Sequence, residues 1–598
     1  MYNRILFCIV LFIILIVPHT QLFSIVNERS DWLWASKIES SSSSGFYYSD
    51  MAVDSNGSTY FAGTFSEEIH FGSIILQCQG NNNMFLAKLN NNGVWMWAKR
   101  FTTGPTYTNY NPWERTEKLK IMGENVYLLG YSYYPMIIDG VTFEGNAGNS
   151  NFIGPFIARF DANGICNMGV VLNPSYAPLN HYISFKQLVV NSTGIYVSGS
   201  WRSPNESLQF GDIIVSGYND GDTTDYDILY AKVDHQGNLQ WVKSIGGPSD
   251  EEIMSMCFDS SGNVYMGGEF TSTMIAGNTQ LVSNGFKDVF VVKLDQNGNV
   301  VWGQKCGGVR DDTIADMHEK NGVIYLTGTY TLQTSFGSLV LEPINTTTSM
   351  PGNIYIASIN SSGTWSSVNR IGNPMFPQAF VSSIVVDNNS AYILLPRAYA
   401  GSSYPLQFGE DFSWYPSNIP INHQSHIIAG LSISTNHWFG IAYAEVINDL
   451  YYTKLRADNL SLYLGTPVSD QINFGNINIT ATTSSCYAIG KISKNEVVEN
   501  DDDTGSVTII DRMRIFPNPS VVNSIVNIEF DTRYNYSTSI SIYNMKGQLI
   551  KSFSNIGKSG ILEWNAIDNN GIECPSGVYF MRLCSLDGVT TKKVVLIK

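Results

Sequence analysis

The chain has 598 residues, too many for one hydrophobic core, so several folding units or a repeat architecture must share them. Its 35 lysines and arginines face 51 aspartates and glutamates, a formal charge of −16, and no Lys/Arg-rich run occurs; the field repels phosphate backbones, and nucleic acid is not expected as a partner. The 8 cysteines are scattered and form no CxxC pair, which excludes a disulfide framework and a structural zinc site of the usual kind.

In chain order, Arg4 precedes an unbroken apolar run from Ile5 to Val17, and the chain turns polar from Pro18. That run is too short for a membrane helix and suits the core of an export signal. Residues 1–24 are therefore expected to be a signal peptide cut near Ser24, with no membrane span after cleavage; an uncleaved anchor is the alternative. The next element, Asp31 to Lys37 (DWLWASK), is a strand with no partner nearby in sequence.

From there one phrase recurs, an aromatic or apolar pair followed two residues later by glycine: Tyr60 to Gly63, Tyr127 to Gly130, Tyr196 to Gly199, Val264 to Gly268 and Tyr325 to Gly328. Weaker copies lie at Tyr392 to Leu395 and Leu462 to Gly465. A period of roughly 60 to 70 residues is the mark of a repeat architecture. Each unit reads as two hairpins, one like FVVKLDQNGNVVW (Phe290 to Trp302) and one like MSMCFDSSGNVYMGGEF (Met254 to Phe270). A Phe-Gly step follows, at Phe71-Gly72, Phe210-Gly211, Phe336-Gly337, Phe408-Gly409 and Phe474-Gly475, with Asp139-Gly140 and Ala276-Gly277 departing from it; glycine there supplies a backbone angle closed to other residues. Four main strands per period define a propeller blade, and seven periods lie within the usual range.

The seventh unit ends at Tyr487 to Lys494 without its tryptophan strand, and Trp34 fits the register of Trp97, Trp241 and Trp302. Trp32 to Lys37 should therefore pair with Tyr487 to Ile492 and close the ring. The fold expected is all-β, a seven-bladed β-propeller (25–497) followed by a small immunoglobulin-like β-sandwich. The units resemble the β-propeller repeats of secreted bacterial proteins, whose copies carry DxFVxKLDxxGNxxW and GNVYxxGxF; the resemblance covers Asp31 to Lys494 and implies architecture more than activity.

An acidic linker (498–511) contains Glu499 to Gly505, and a compact all-β module (512–598) follows. The module holds Pro517-Asn518-Pro519, Tyr543 with Gly547, Trp564 with Gly571, Pro575-Ser576-Gly577-Val578-Tyr579, and a closing Lys592 to Lys598. It resembles the type A C-terminal sorting domain of the type IX secretion system of Gram-negative bacteria. The resemblance implies Pro517, Asn518, Pro519, Tyr543, Gly547, Trp564, Gly577, Tyr579 and Lys598 as sorting-signal residues, the type IX machinery as partner, and a secreted or cell-surface location. Cys574 and Cys584, close together and late, are a possible disulfide pair in an oxidising compartment.

For chemistry the sequence is sparing. Asp54, Asp161, Asp234, Asp259 and Asp295 repeat at one turn in different units, and one active site does not need five equal copies; they are read as turn caps. The pattern Asp-x-x-Gly-x-x-x-Trp is similar to the tryptophan-docking motif of quinoprotein propellers, but its spacing and period differ. His423, His426 and His437 lie close in sequence without an acidic partner in reach. No GxSxG, HExxH or Walker pattern occurs, so no catalytic residue, metal or cofactor is assigned. Two aromatic stretches, YTNYNPW and FSWY, are richer than turns require, and Tyr107, Tyr110, Trp113, Trp414 and Tyr415 are the candidate binding residues, suited to stacking on sugars or packing on a protein. The expectation is a monomeric, secreted, noncatalytic propeller that binds a glycan or a protein at the cell surface. The alternatives are a secreted hydrolase or lyase with a site on one mouth of the ring, and a structural spacer. Acids and arginines clustered on one mouth favour the enzyme; an aromatic patch favours binding.

Overall fold

Short alternating strands separated by Asn-Gly and Asp-x-x-Gly turns force antiparallel meanders, and the computed structural model contains no helix among its described residues. Those are residues 32–597 apart from 42–45, 81, 102–113, 133–134, 145–153, 177–181, 203–206, 219–224, 345–351, 373–380, 399–405, 410–411, 415–423, 448–452, 484–485, 495–511, 517–519, 522–524, 532–538, 547, 555–558, 570 and 586–587. The expected signal peptide and acidic linker lie outside them. The chain divides into two compact units between residues 499 and 500.

In the larger unit the same four-stranded antiparallel meander occurs seven times among the described residues. The first strands of the seven copies are Phe46–Val53, Arg115–Met122, Tyr182–Asn191, Glu251–Phe258, Asp316–Lys320, Ser383–Val386 and Lys454–Ala457. Each packs against the first strand of the next copy, and the last packs against Phe46–Val53, so the seven edges form a cycle around a common axis. No single sheet closes on itself among the described residues.

The cycle closes as the orphan strand foretold. Trp32–Ser40 is the fourth strand of the seventh meander, antiparallel to Cys486–Ser493, with Trp34 opposite Lys491, Lys37 opposite Ala488 and Ile38 opposite Tyr487. Trp32 and Ile38 are buried there, each worth about 2 kcal/mol of apolar burial. At four of the five Phe-Gly steps a small hairpin pairs with the preceding copy's outermost strand, while the Phe210-Gly211 hairpin forms a separate two-stranded sheet. Among the four, Glu68–Phe71 pairs with Trp32–Ser40, and Thr334–Phe336 pairs with Val300–Gly308.

The recurring glycine and tryptophan each answer a contact. At Gly268 a Cβ would stand 2.1 Å from the carbonyl of Glu252 and 2.5 Å from the Phe290 ring, so only glycine lets the bulged first strand and the third strand's aromatic ring approach together. In the seventh copy the register is one residue later than the sequence phrase suggested. Gly465 stands opposite Ile489 as Gly267 stands opposite Val291, and Thr466 occupies the glycine site, its hydroxyl bonded to His426. The reason is that Tyr463 rather than Leu462 is the aligned aromatic, its hydroxyl donating to Asp458 as Tyr265 donates to Asp259.

The fourth-strand tryptophans dock on the next copy's turn. Trp34, Trp97 and Trp302 donate from Nε1 to the carbonyls of Asn91, Ala162 and Ser361 at 2.8, 3.3 and 3.1 Å. Their rings lie over Gly93, Gly164 and Gly363, and Trp241 covers Gly298 likewise. Tryptophan thus docks onto a neighbour's turn here with a spacing and period that differ from the quinoprotein motif.

In the smaller unit, a three-stranded sheet (Arg512–Phe516, Val526–Asp531, Ser559–Trp564) and a five-stranded sheet built on Ser539–Asn544, Gly577–Ser585 and Gly588–Ile597 share one apolar core. Cys574, one member of the possible disulfide pair, is a free thiol buried in that core.

Candidate functional site

The repeated aspartates are turn caps. Asp54 Oδ1 accepts the amides of Asn56 and Ser58 at 2.9 and 2.8 Å, and Asp161, Asp234, Asp259 and Asp295 do the same at their own turns. Those carboxylates are spent on local backbone.

Of the candidate binding residues, Tyr107, Tyr110, Trp113 and Tyr415 lie outside the described residues. Trp414 ends the short strand Phe412–Trp414, opposite Leu406. His423 also lies outside, while His426 is buried opposite Ala444 and His437 is exposed at the other end of that hairpin, so the structure does not bring these two histidines together. At the rim, a groove of about 500 Å³ runs between Val171–Ser175 and Phe210–Ile213.

The charged constellation stands elsewhere, on the seven first strands that surround the axis. One position per copy is equivalent by register: Asp50, Lys118, Gln187, Ser255, Asp316, Ser383 and Lys454. In five copies the side chain bonds to the next copy's first strand. Asp50, Ser255, Asp316 and Ser383 accept the amides of Leu119, Met317, Ile384 and Leu455 at 3.1, 3.1, 3.3 and 3.2 Å, and Gln187 donates to the Met254 carbonyl at 2.7 Å. This stitching satisfies edge amides that have no partner strand on the axial side. Lysine cannot accept an amide, and Lys118 and Lys454 break the series.

Two residues further along, the same two copies place Lys120 and Arg456, where the others carry Ala52, Val189, Cys257, His318 and Val385. The first copy's Asp50 is thus flanked on both sides by basic strands, Lys118-Leu119-Lys120 and Lys454-Leu455-Arg456. Arg456 spans the seam, donating to Asp50 Oδ1 at 2.7 Å and to the Met51 carbonyl at 2.9 Å. Among the described residues, the ammonium groups of Lys118, Lys120 and Lys454 have no hydrogen-bond or ion-pair partner.

The pKa shifts record this crowding. Burial alone would raise the Asp50 carboxyl, but Arg456, Lys118, Lys454 and Lys120 together hold it at about 2. Burial and the Lys118 charge push the amines of Lys120 and Lys454 down to about 8, with Asp50 and Asp316 opposing. His318 is lowered to about 4, by burial first, so it is neutral at physiological pH. A positively charged, half-wetted centre in a chain of charge −16 suits an anion. Linear motifs could not reveal it, because it is assembled from strands up to 406 residues apart in sequence. Aligning the first strands alone would have done so, since only two carry the basic-Leu-basic pattern.

In the smaller unit, the Trp564 indole donates to the Ile567 carbonyl at 3.0 Å and meets the Tyr579 ring edge-on at 5.5 Å. The Tyr579 hydroxyl donates to the Pro575 carbonyl at 2.8 Å, which fixes the start of the strand that Gly577 opens. Tyr543 pairs with Phe580, and the following Asn544 caps the turn by accepting the amides of Lys546 and Gln548, both at 3.0 Å. Pro517, Asn518, Pro519, Gly547 and Lys598 lie outside the described residues.

Residues 514–598 match the family described as the secretion system C-terminal sorting domain. The chain therefore carries a type IX secretion sorting tail, which places it outside the cell or on the cell surface. No match was found among curated proteins. Among solved structures the chain is similar to Drosophila semaphorin 2a (9% identity, TM-score 0.35, 96% of this chain and 98% of that one). It is also similar to PorZ, described as an essential surface component of the type IX secretion system of Porphyromonas gingivalis (12%, 0.18, 92% and 86%). A third is the quinohemoprotein alcohol dehydrogenase of Comamonas testosteroni (9%, 0.29, 81% and 79%). Likenesses this faint carry no argument about activity.

Proposed function

We propose that the chain is an exported, ligand-binding, seven-bladed β-propeller of the secreted bacterial repeat type, delivered by an immunoglobulin-like sorting sandwich that is removed after export. The cycle of seven first strands, closed by Trp32–Ser40, supports the propeller reading. One observation carries the binding reading: the axis holds charged side chains that the repeat does not require, in two of the seven copies. Deleting residues 514–598 tests the export half; the ring is expected to accumulate inside the cell, and its appearance in the medium would defeat the reading.

A second reading has one observation in its favour. Lys120 and Lys454, with amines near 8, share the axis with Asp316 and His318, and an amine titrating close to neutrality can serve as a general base in a lyase. Incubating the chain with acidic and neutral glycans while following both retention and product formation separates the two. Turnover establishes the enzyme, and retention without turnover establishes the binding protein.

A further inference from the structure

We propose that Lys118, Lys120 and Lys454 form a site for an oxyanion-bearing ligand, a carboxylate, sulfate or phosphate ester, at the centre of the ring. This rests on the reading of the ring as ligand-binding and says which chemistry it recognises.

Three features lead there. The first is departure from the repeat: where five copies spend this position on stitching neighbouring strands together, the second and seventh copies place lysines that stitch nothing. The second is convergence. These two copies are not neighbours; the first copy stands between them, and both of their first strands pack against Phe46–Val53, the strand that carries Asp50, so all three lysines act on that carboxylate. The third is imbalance. Lys118, Lys120, Lys454 and Arg456 face Asp50 and Asp316, which leaves an excess of two positive charges. Asp50 is already engaged by Arg456 and by the Leu119 amide, and Asp316 by Ser255 and by the amides of Met317 and Ile384. Among the described residues, the lysines are left with donors and no acceptor.

Like charges held together destabilise a fold unless something neutralises them, and an oxyanion offers each lysine an acceptor with the right sign. A carboxylate, sulfate or phosphate has oxygens enough to meet several ammonium groups at once. The groups that set the charge here are Asp50 on the first strand, Lys118 and Lys120 on the second, Asp316 and His318 on the fifth, and Lys454 and Arg456 on the seventh, with Lys320 on the fifth strand adding to the positive excess through His318. Cys257 on the fourth is held neutral by burial.

The test is calorimetric titration of the full chain at low ionic strength with three probes: sodium sulfate, sodium phosphate and a tetragalacturonate. At least one is expected to bind, and the order among them identifies whether the natural group is sulfate, phosphate or carboxylate. Lys118→Gln combined with Lys454→Gln should weaken that binding at least tenfold. Its melting temperature should stay the same or rise, because repulsion is relieved; a role in holding the ring together would lower it. Lys592→Gln, in the sorting unit, should leave affinity unchanged. Affinity should also fall between pH 6.5 and 9.5 as the two amines near 8 lose their protons. Silence from all three probes, or full affinity in the double variant, overturns the site. Retention of a neutral glycan that sulfate does not displace overturns the site while leaving the ligand-binding reading intact.

Discussion

Replacing Gly93 by alanine perturbs the ring at its seam. Gly93 has φ +78 and lies beneath Trp34, and a Cβ there would come within 2.8 Å of the indole. Two separable costs follow. The left-handed backbone costs about 1 kcal/mol for a residue with a side chain, and it falls on the first copy's own turn. Displacing Trp34 removes its hydrogen bond to the Asn91 carbonyl, about 1 kcal/mol, and its edge contact with Tyr463 at 6.2 Å, another 0.5 to 1 kcal/mol by order of magnitude. Only the second cost bears on whether Trp32–Ser40 stays docked. About 2 kcal/mol there raises local opening about thirtyfold. Amide hydrogen exchange along residues 32–40 reads it directly. Gly140→Ala is the control, since φ is +85 and nothing lies within 4 Å of its Cβ; it should cost similar strain and leave exchange at 32–40 unchanged. In a Trp34→Ala background, Gly93→Ala should add nothing further. Unchanged exchange in Gly93→Ala, or an equal effect with and without Trp34, refutes tryptophan docking as the fastening of the seam.

Further expectations concern buried carboxyls. Glu251 is pushed up to about 9 from 4.5, by burial first and then by Asp227, so it stays protonated in the fold while the unfolded chain ionises it above about pH 4.5. Stability should therefore fall by a few kcal/mol between pH 5 and 9. Asp312, raised to about 7, adds to the same trend, and Glu251→Gln should flatten it in urea titrations at the two pH values; an unchanged slope would show that Glu251 is ionised. Asp50 has the opposite sign. Held at about 2 against 3.8, its carboxylate contributes about 2 kcal/mol above pH 4 that is lost as pH falls through 2. Asp50→Asn should cost about 3 kcal/mol at pH 7 by leaving Arg456 without its ion-pair partner and the three lysines with Asp316 as their remaining counter-charge. A urea midpoint within error of the parent would remove Asp50 from that role.

The repeat and its closure were legible because they are written locally. A period-2 strand pattern, an Asp-x-x-Gly turn and a missing fourth strand each occupy a few adjacent residues, and the register Trp34 to Lys491 follows from them. The glycine of the central phrase was legible as a position, while its cause was not: the Glu252 carbonyl and the Phe290 ring that exclude a Cβ come from other strands. The seventh copy misled by one residue because Thr466 replaces the glycine that marks the register. Tryptophan docking is hard to read from spacing, which measures resemblance to one motif and not the distance from an indole to the next copy's turn. The charged centre was illegible for a simpler reason. Its charged members lie on four separate first strands, each contributing one or two residues, and in sequence Lys118 and Arg456 read as ordinary polar positions of amphipathic strands until the strands are aligned.

The fastening of the seam also sets an order of events. Within the larger unit the strand at residues 32–40 is synthesised early and its partner at 486–493 late, and the sorting module follows. A chain broken off anywhere before residue 486 keeps an unmatched edge at its front and lacks the address that would send it out. A chain that reaches the sorting module has therefore already made both halves of the seam.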